Sequence, residues 1–231
     1  MDARALLDSV AAAYGALETL QGEALAISQS EEEGWSQRTE ARLKFYYAAP
    51  GRIRVEQPGR MGSVMVSDGI ELKSFFAQHR RYFRHPAPPP DQLPGVFLPE
   101  LPMAPGHGPV LFGTIGQRVL EAELRSDETL TLDGAEIPCH VVEAMYKPSH
   151  SVFAGANRPV HFWIDARRCL VLRMEGDLDL GEAVAGVARR TLAITRIAAN
   201  REIPAGTFEF TPPEGALEHG AGMGRGGGQR G

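Results

Sequence analysis

The chain has 231 residues, of which 43% are apolar and 23% charged, and a net charge of -5. This length and composition suit one β-rich globular domain able to bury a core. The acidic balance excludes the cationic footprint of a nucleic-acid binder, and no apolar run approaches the ~20 residues of a membrane-spanning helix.

In chain order, residues 2–20 carry Leu6, Leu7, Val10, Tyr14 and Leu17 at spacings of three and four. That spacing predicts an amphipathic helix with one apolar stripe, blemished at Gly15 and stopped by Gly22. The chain thus opens directly on a helical pattern. Two readings stay open: a cytoplasmic protein, or an exported one whose leader has been removed. Residues 23–30 read as a strand with Leu25 and Ile27 on one face, and the Glu31-Glu32-Glu33-Gly34 run as a solvated hairpin tip.

A long strand from Trp35 to Ala48 opens the densest β region, which lasts to Pro86. Alternation at period two places Leu43, Phe45, Tyr47, Ile53 and Val55 on one face, followed by Val64, Val66, Ile70 and Leu72. Arg42, Lys44, Arg52, Arg54, Glu56 and Lys73 take the other. The short turns between these strands require antiparallel pairing, and the apolar face has to be covered.

Residues 86–109 hold nine prolines, a density that forbids a regular ladder. The same stretch carries Phe97, Leu98 and Leu101, so it reads as a structured apolar loop, either a lid over a cavity or a structural plug. Strands are expected again at 119–124, 128–132 and 135–146, the last two joined by the hairpin turn Asp133-Gly134. Further strands follow at 160–165, where Phe162 faces inward, at 169–178 and at 187–198. From residue 218 the Gly-rich sequence reads as a disordered tail, leaving one domain over residues 1–217.

The pattern gives a mainly β (α+β) fold of about ten or eleven strands in meander order. It is a single strongly curved antiparallel sheet forming an unclosed barrel, with the N-terminal helix and the Pro-rich loop over its concave face. No catalytic elbow, phosphate loop or zinc-protease motif is present. His140, His161 and Cys169 lie on neighbouring strands but lack a fourth metal ligand. Glu143, the carboxylate in the most apolar context, reads as facing water. The expectation is therefore of no enzyme and no cofactor. Pairing Lys147 with Pro159 would set Cys139 opposite Arg167 and close to Cys169. A Cys139–Cys169 disulfide would then close a loop of about 30 residues, contributing roughly 3–4 kcal/mol; two free thiols are the alternative.

The run Ala49-Pro50-Gly51-Arg52-Ile53-Arg54-Val55, followed by Val64-Met65-Val66-Ser67-Asp68-Gly69, resembles the LolA family of periplasmic lipoprotein carriers. So does Gly206-Thr207-Phe208-Glu209-Phe210-Thr211-Pro212-Pro213-Glu214-Gly215 near the end. The middle of the chain also resembles the sensor domain of RseB-type proteins. The resemblance implies a half-barrel that binds a lipid, or the acyl chains of a lipoprotein, in a hydrophobic hollow without catalysis. It implies a periplasmic or cell-envelope location, a monomer, and membrane-associated donor and acceptor proteins as partners. The alternative it offers is an envelope sensor that binds a protein. Where LolA proteins commonly carry an arginine ahead of the first proline, this chain has Ala49, so that latch is not carried over.

Overall fold

The computed structural model describes residues 2–32, 35–60, 62–87, 112–147, 158–179 and 187–219. The Pro-rich loop over residues 88–111, with Phe97, Leu98 and Leu101, lies outside them, as do residues 220–231.

Helix α1, Ala3–Gly15, starts at Asp2, whose carboxylate accepts from the Ala5 amide at 2.8 Å. It ends five residues before the predicted boundary. Gly15 is its last residue rather than an interior blemish, and Thr19 already begins the first strand. The buried stripe is the predicted one: Leu6, Leu7, Val10 and Tyr14.

The first half of the sheet is β1 (Thr19–Glu32), β2 (Trp35–Ala48), β3 (Arg52–Gln57), β4 (Ser63–Ser67), β5 (Glu71–Phe76) and β6 (Arg81–Pro86). A one-turn helix α2 (Ile115–Arg118) precedes β7 (Val119–Leu124), β8 (Glu128–Leu132), β9 (Ala135–Tyr146), β10 (Val160–Asp165), β11 (Val171–Asp179), β12 (Val187–Ala199) and the two-residue β13 (Leu217–Glu218). All belong to one 13-stranded sheet in the order β13-β6-β5-β4-β3-β2-β1-β12-β11-β10-β9-β7, with β8 also on β9. Strands distant in sequence pair at three places: β1 with β12, which joins the two halves, β7 with β9, and β13 with β6, the last in parallel. At the β8–β9 turn both Asp133 and Gly134 have positive φ, as a two-residue hairpin loop requires.

The sheet is not closed into a barrel, yet it is strongly curved. Leu72 of β5 and Val142 of β9 belong to one continuous apolar cluster with the stripe of α1. On a flat sheet the eight steps between those strands would span ~38 Å at ~4.8 Å each. A 13-residue helix is only ~20 Å long. Both halves of the sheet thus contribute to one core.

Three expectations need correction. Ile70 is not on the apolar face; it projects from the β4–β5 turn and is 79% exposed. The tail does not begin at 218, because Leu217 and Glu218 pair in parallel with Arg81 and Tyr82, and the His219 amide donates to the Tyr82 carbonyl. The cysteines are free. The β9–β10 register sets Cys139 opposite Asp165, two residues from the expected position. Cys139 then packs with Leu132, Val141, Trp163 and Leu172, whereas Cys169 packs against the cluster under α1. The two thiols serve different clusters, so no bridge forms.

Candidate functional site

Cross-strand pairs share a face, so the register assigns each predicted residue. Tyr47 pairs with Leu20 and Ile53, and Phe45 with Gly22 and Val55. Leu43 pairs with Ala24. On the far side of the sheet Phe162 pairs with Val142 and Met174. Leu43, Phe45, Tyr47, Ile53, Val55, Leu72 and Phe162 are all buried in the cluster that α1 covers. This inner face is the candidate site.

Leu25, Ile27, Val64 and Val66 are not part of it. Leu25 pairs with Arg42 and Ile27 with Glu40, which places both on the outer face. Val64 pairs with Glu56, and Val66 with Arg54 and Lys73. Met65, opposite Val55, takes the inward position in β4. Val66 is nevertheless buried, because the chain after β12 runs across the outer face of β3–β5. Arg54 donates to the Thr207 and Glu209 carbonyls at 3.0 and 2.9 Å. Arg52 lies over the Phe208 ring, and Phe210 meets Phe75 and Tyr82. The motif Gly206–Gly215 is thus a strap over the strands that carry the earlier motif.

Sequence reasoning missed the small side of β1. Gly22 is an inward strand position, not a helix stop. A Cβ added there would stand 2.1 Å from the Arg196 carbonyl oxygen and 2.7 Å from Cζ of Phe45. Only glycine lets the Phe45 ring lie across the strand. Ala24 and Ala26 continue this low wall.

Two polar contacts hold α1 against the greasy face. At its start Arg4 donates to the Gly116, Val119 and Leu120 carbonyls at 3.0, 3.4 and 3.2 Å. At its end the buried Tyr14 hydroxyl accepts from the Val171 amide at 3.1 Å. Burial pushes the Tyr14 phenol far above its ordinary range, so it stays neutral. Its ring lies 5.0 Å from that of Phe112, which meets Phe162 edge-on at 6.0 Å.

Beneath Tyr14 and Phe112 a cavity of about 20 Å³ remains, walled by Leu20, Phe45, Met174 and Leu192. That is room for about one water molecule. Apart from Tyr14 and Arg173 its lining residues are apolar, and no Asp, Glu or His is among them. Among the described residues no group of His, Cys, Asp or Glu is placed to hold a metal. Glu143 is tied to Arg125 at 2.7 Å and His161 at 2.9 Å on the outer face, and the Arg125 bond chiefly holds its carboxyl below the ordinary range. No described helix is long and apolar enough to cross a membrane.

Fold and site together define an unclosed half-barrel whose apolar inner face packs with helix α1 and with Ile115 of α2. The sequence matches no protein-family profile and no curated protein. Solved structures of similar fold do exist. LprF from Mycobacterium bovis matches with a TM-score of 0.50 at 12% identity, over 87% of this chain and 94% of that one. The LolA superfamily protein NE2245 from Nitrosomonas europaea matches at 0.41 and 11% identity, over 90% and 97%. Pseudomonas aeruginosa MucB, solved with MucA, matches at 0.47 and 14% identity. This chain spans about 60% of the length of that MucB chain. The kinds of protein that the sequence motifs resemble are thus found among the structural neighbours, and at these identities the likeness is one of fold.

Proposed function

We propose that this chain is a non-catalytic binding protein of the cell envelope that receives a lipid, or the acyl chain of a lipoprotein, between α1 and the inner face. One observation carries the reading: a continuous apolar cluster joins the inner face, from β5 to β9, to the stripe of α1. Each methylene moved from water onto such a face contributes ~0.8 kcal/mol, so part of an acyl chain gives useful affinity without polar contacts. The described cavity beneath Tyr14 and Phe112 is about 20 Å³, so an acyl chain enters there by displacing those two rings. The Pro-rich segment, with Phe97, Leu98 and Leu101, is proposed as a second cover. Transfer partners in the membrane follow from the same reading.

The test is uptake of a fluorescent fatty acid, with native mass spectrometry of the purified protein for co-purified lipid. Uptake that Phe45→Glu reduces at least tenfold supports the proposal. Absence of both uptake and bound lipid overturns it. The small size of the inner cavity favours a second reading, a sensor that binds a protein with its trough filled. Recovery of one protein partner by pull-down, without lipid transfer between vesicles, would select that reading.

A further inference from the structure

A second cavity is not on the inner face. It lies outside, where the β8–β9 hairpin stands beside β11, β12, β1 and β2, and measures about 520 Å³. That volume falls in the range of ~300–1,000 Å³ usual for small-molecule pockets. Its walls have two characters. Ile27, Leu130, Leu132 and Leu172 give an apolar floor, while Arg38, Arg173 and Arg189 bring three guanidinium groups to the cavity from β2, β11 and β12.

Glu175 is the one carboxylate in the lining. Arg173 donates to it at 2.6 Å, Thr191 donates at 3.3 Å, and Arg189 stands 3.7 Å away. Two arginines thus share one acceptor. Arg38 and Arg189 also reach Glu40 and Asp177, which are not among the lining residues, at 2.6 and 3.2 Å. The Arg173 guanidinium is stacked 4.3 Å over the Trp163 ring, and Trp163 in turn donates to Glu128 at 2.8 Å. Stacking fixes the plane of a fork suited to bidentate binding of a carboxylate or phosphate. Arg38 and Arg189 have about half of their side chains in solvent at the cavity mouth.

We propose that this outer cavity is a second ligand site, for a small amphiphile with a phosphate or carboxylate head and a short apolar body. The head takes the guanidinium groups and the body lies on Ile27 and the leucines. The two cavities share Leu172, Arg173 and Ile194 in their walls, but Arg38 and Arg189 line only the outer one, so substitutions there test it apart from acyl binding on the inner face.

The experiment is calorimetric titration of the full chain with octyl phosphate, inorganic phosphate and octanol. Octyl phosphate is expected to bind saturably and at least tenfold more tightly than either of the others. Arg38→Glu with Arg189→Glu should weaken it at least tenfold while thermal melting stays cooperative. Should that pair fail to fold, Arg38→Gln with Arg189→Gln removes both charges without reversing them and should weaken binding in the same direction. The proposal is overturned by absent saturation, or by binding indifferent to the arginine substitutions. Inorganic phosphate binding as tightly as octyl phosphate would also overturn it, since the apolar floor would then play no part.

Discussion

Asp165 shows how much of the second half depends on single side chains. Its carboxylate, 4% exposed, accepts from the Arg167 and Arg168 amides at 2.8 and 3.0 Å and from Nε of Arg168 at 2.6 Å. Burial pushes its pKa up, but these donors outweigh burial and hold it below the ordinary 3.8. A carboxyl lowered in the folded state stabilises the protein above its unfolded pKa, and that contribution is lost as pH falls through the folded value. The midpoint of urea unfolding should therefore drop as pH is lowered below about 4. Asp165→Asn should flatten that drop and cost ~1–3 kcal/mol at pH 7, since Arg168 loses its acceptor; urea titrations at several pH values measure both. Cys139, by contrast, is a buried structural thiol, pushed up to about 11 by burial, and donates to the Ile137 carbonyl at 3.4 Å.

At the scale of elements, α1 is the piece that ligand entry has to move, and its two polar ties set how easily it does so. Tyr14→Phe removes the acceptor of the Val171 amide and leaves a buried donor unpaired, a loss of ~1–3 kcal/mol. Arg4→Ala frees three carbonyls at the other end, where part of the site is open to water, so the loss is smaller. Both variants are expected to take up a fluorescent fatty acid faster than the parent while unfolding at lower urea; stopped-flow uptake beside equilibrium unfolding tests this.

The strands of this element pattern were legible in the sequence because most of them keep period two. The face of Val64 and Val66 was not. Val64-Met65-Val66 is apolar throughout, since the strap from Thr207 to Phe210 covers the outside of the strand that α1 covers from within. A strand buried on both sides loses its alternation. Leu25 and Ile27 misled for a related reason. Leu25 and Ile27 lie on the outer face of β1, while the side toward the core is kept small by Gly22 and Ala24 to seat Phe45. A glycine that marks a close approach looks, in sequence, like one that marks a stop. The cysteine pairing failed on a two-residue register shift that no local signal encodes.

The whole molecule is a single curved wall with apolar cores on both sides, not a shell with one. The inner core joins α1 to strands from β5 to β9. The outer one, Leu132, Cys139, Val141, Trp163 and Leu172, sits where β9–β11 meet the β8 hairpin. The edge of the wall at β6 is closed late in the chain. Arg80 donates to the Glu214 carbonyl at 2.6 Å, Tyr82 to Glu218 at 3.0 Å, and β13 supplies the last ladder. Truncation after Ile203 should uncover the β6 edge and the rings of Phe75 and Tyr82. The truncated chain is expected to self-associate at micromolar concentration; light scattering against the full chain would show it, and a well-behaved monomer would refute it.

For anyone handling the protein, that parallel pair at Leu217 and Glu218 has a practical side. An affinity handle or reporter spliced in ahead of those residues would pry the hem of the sheet loose, whereas one joined past His219 would leave the seam stitched.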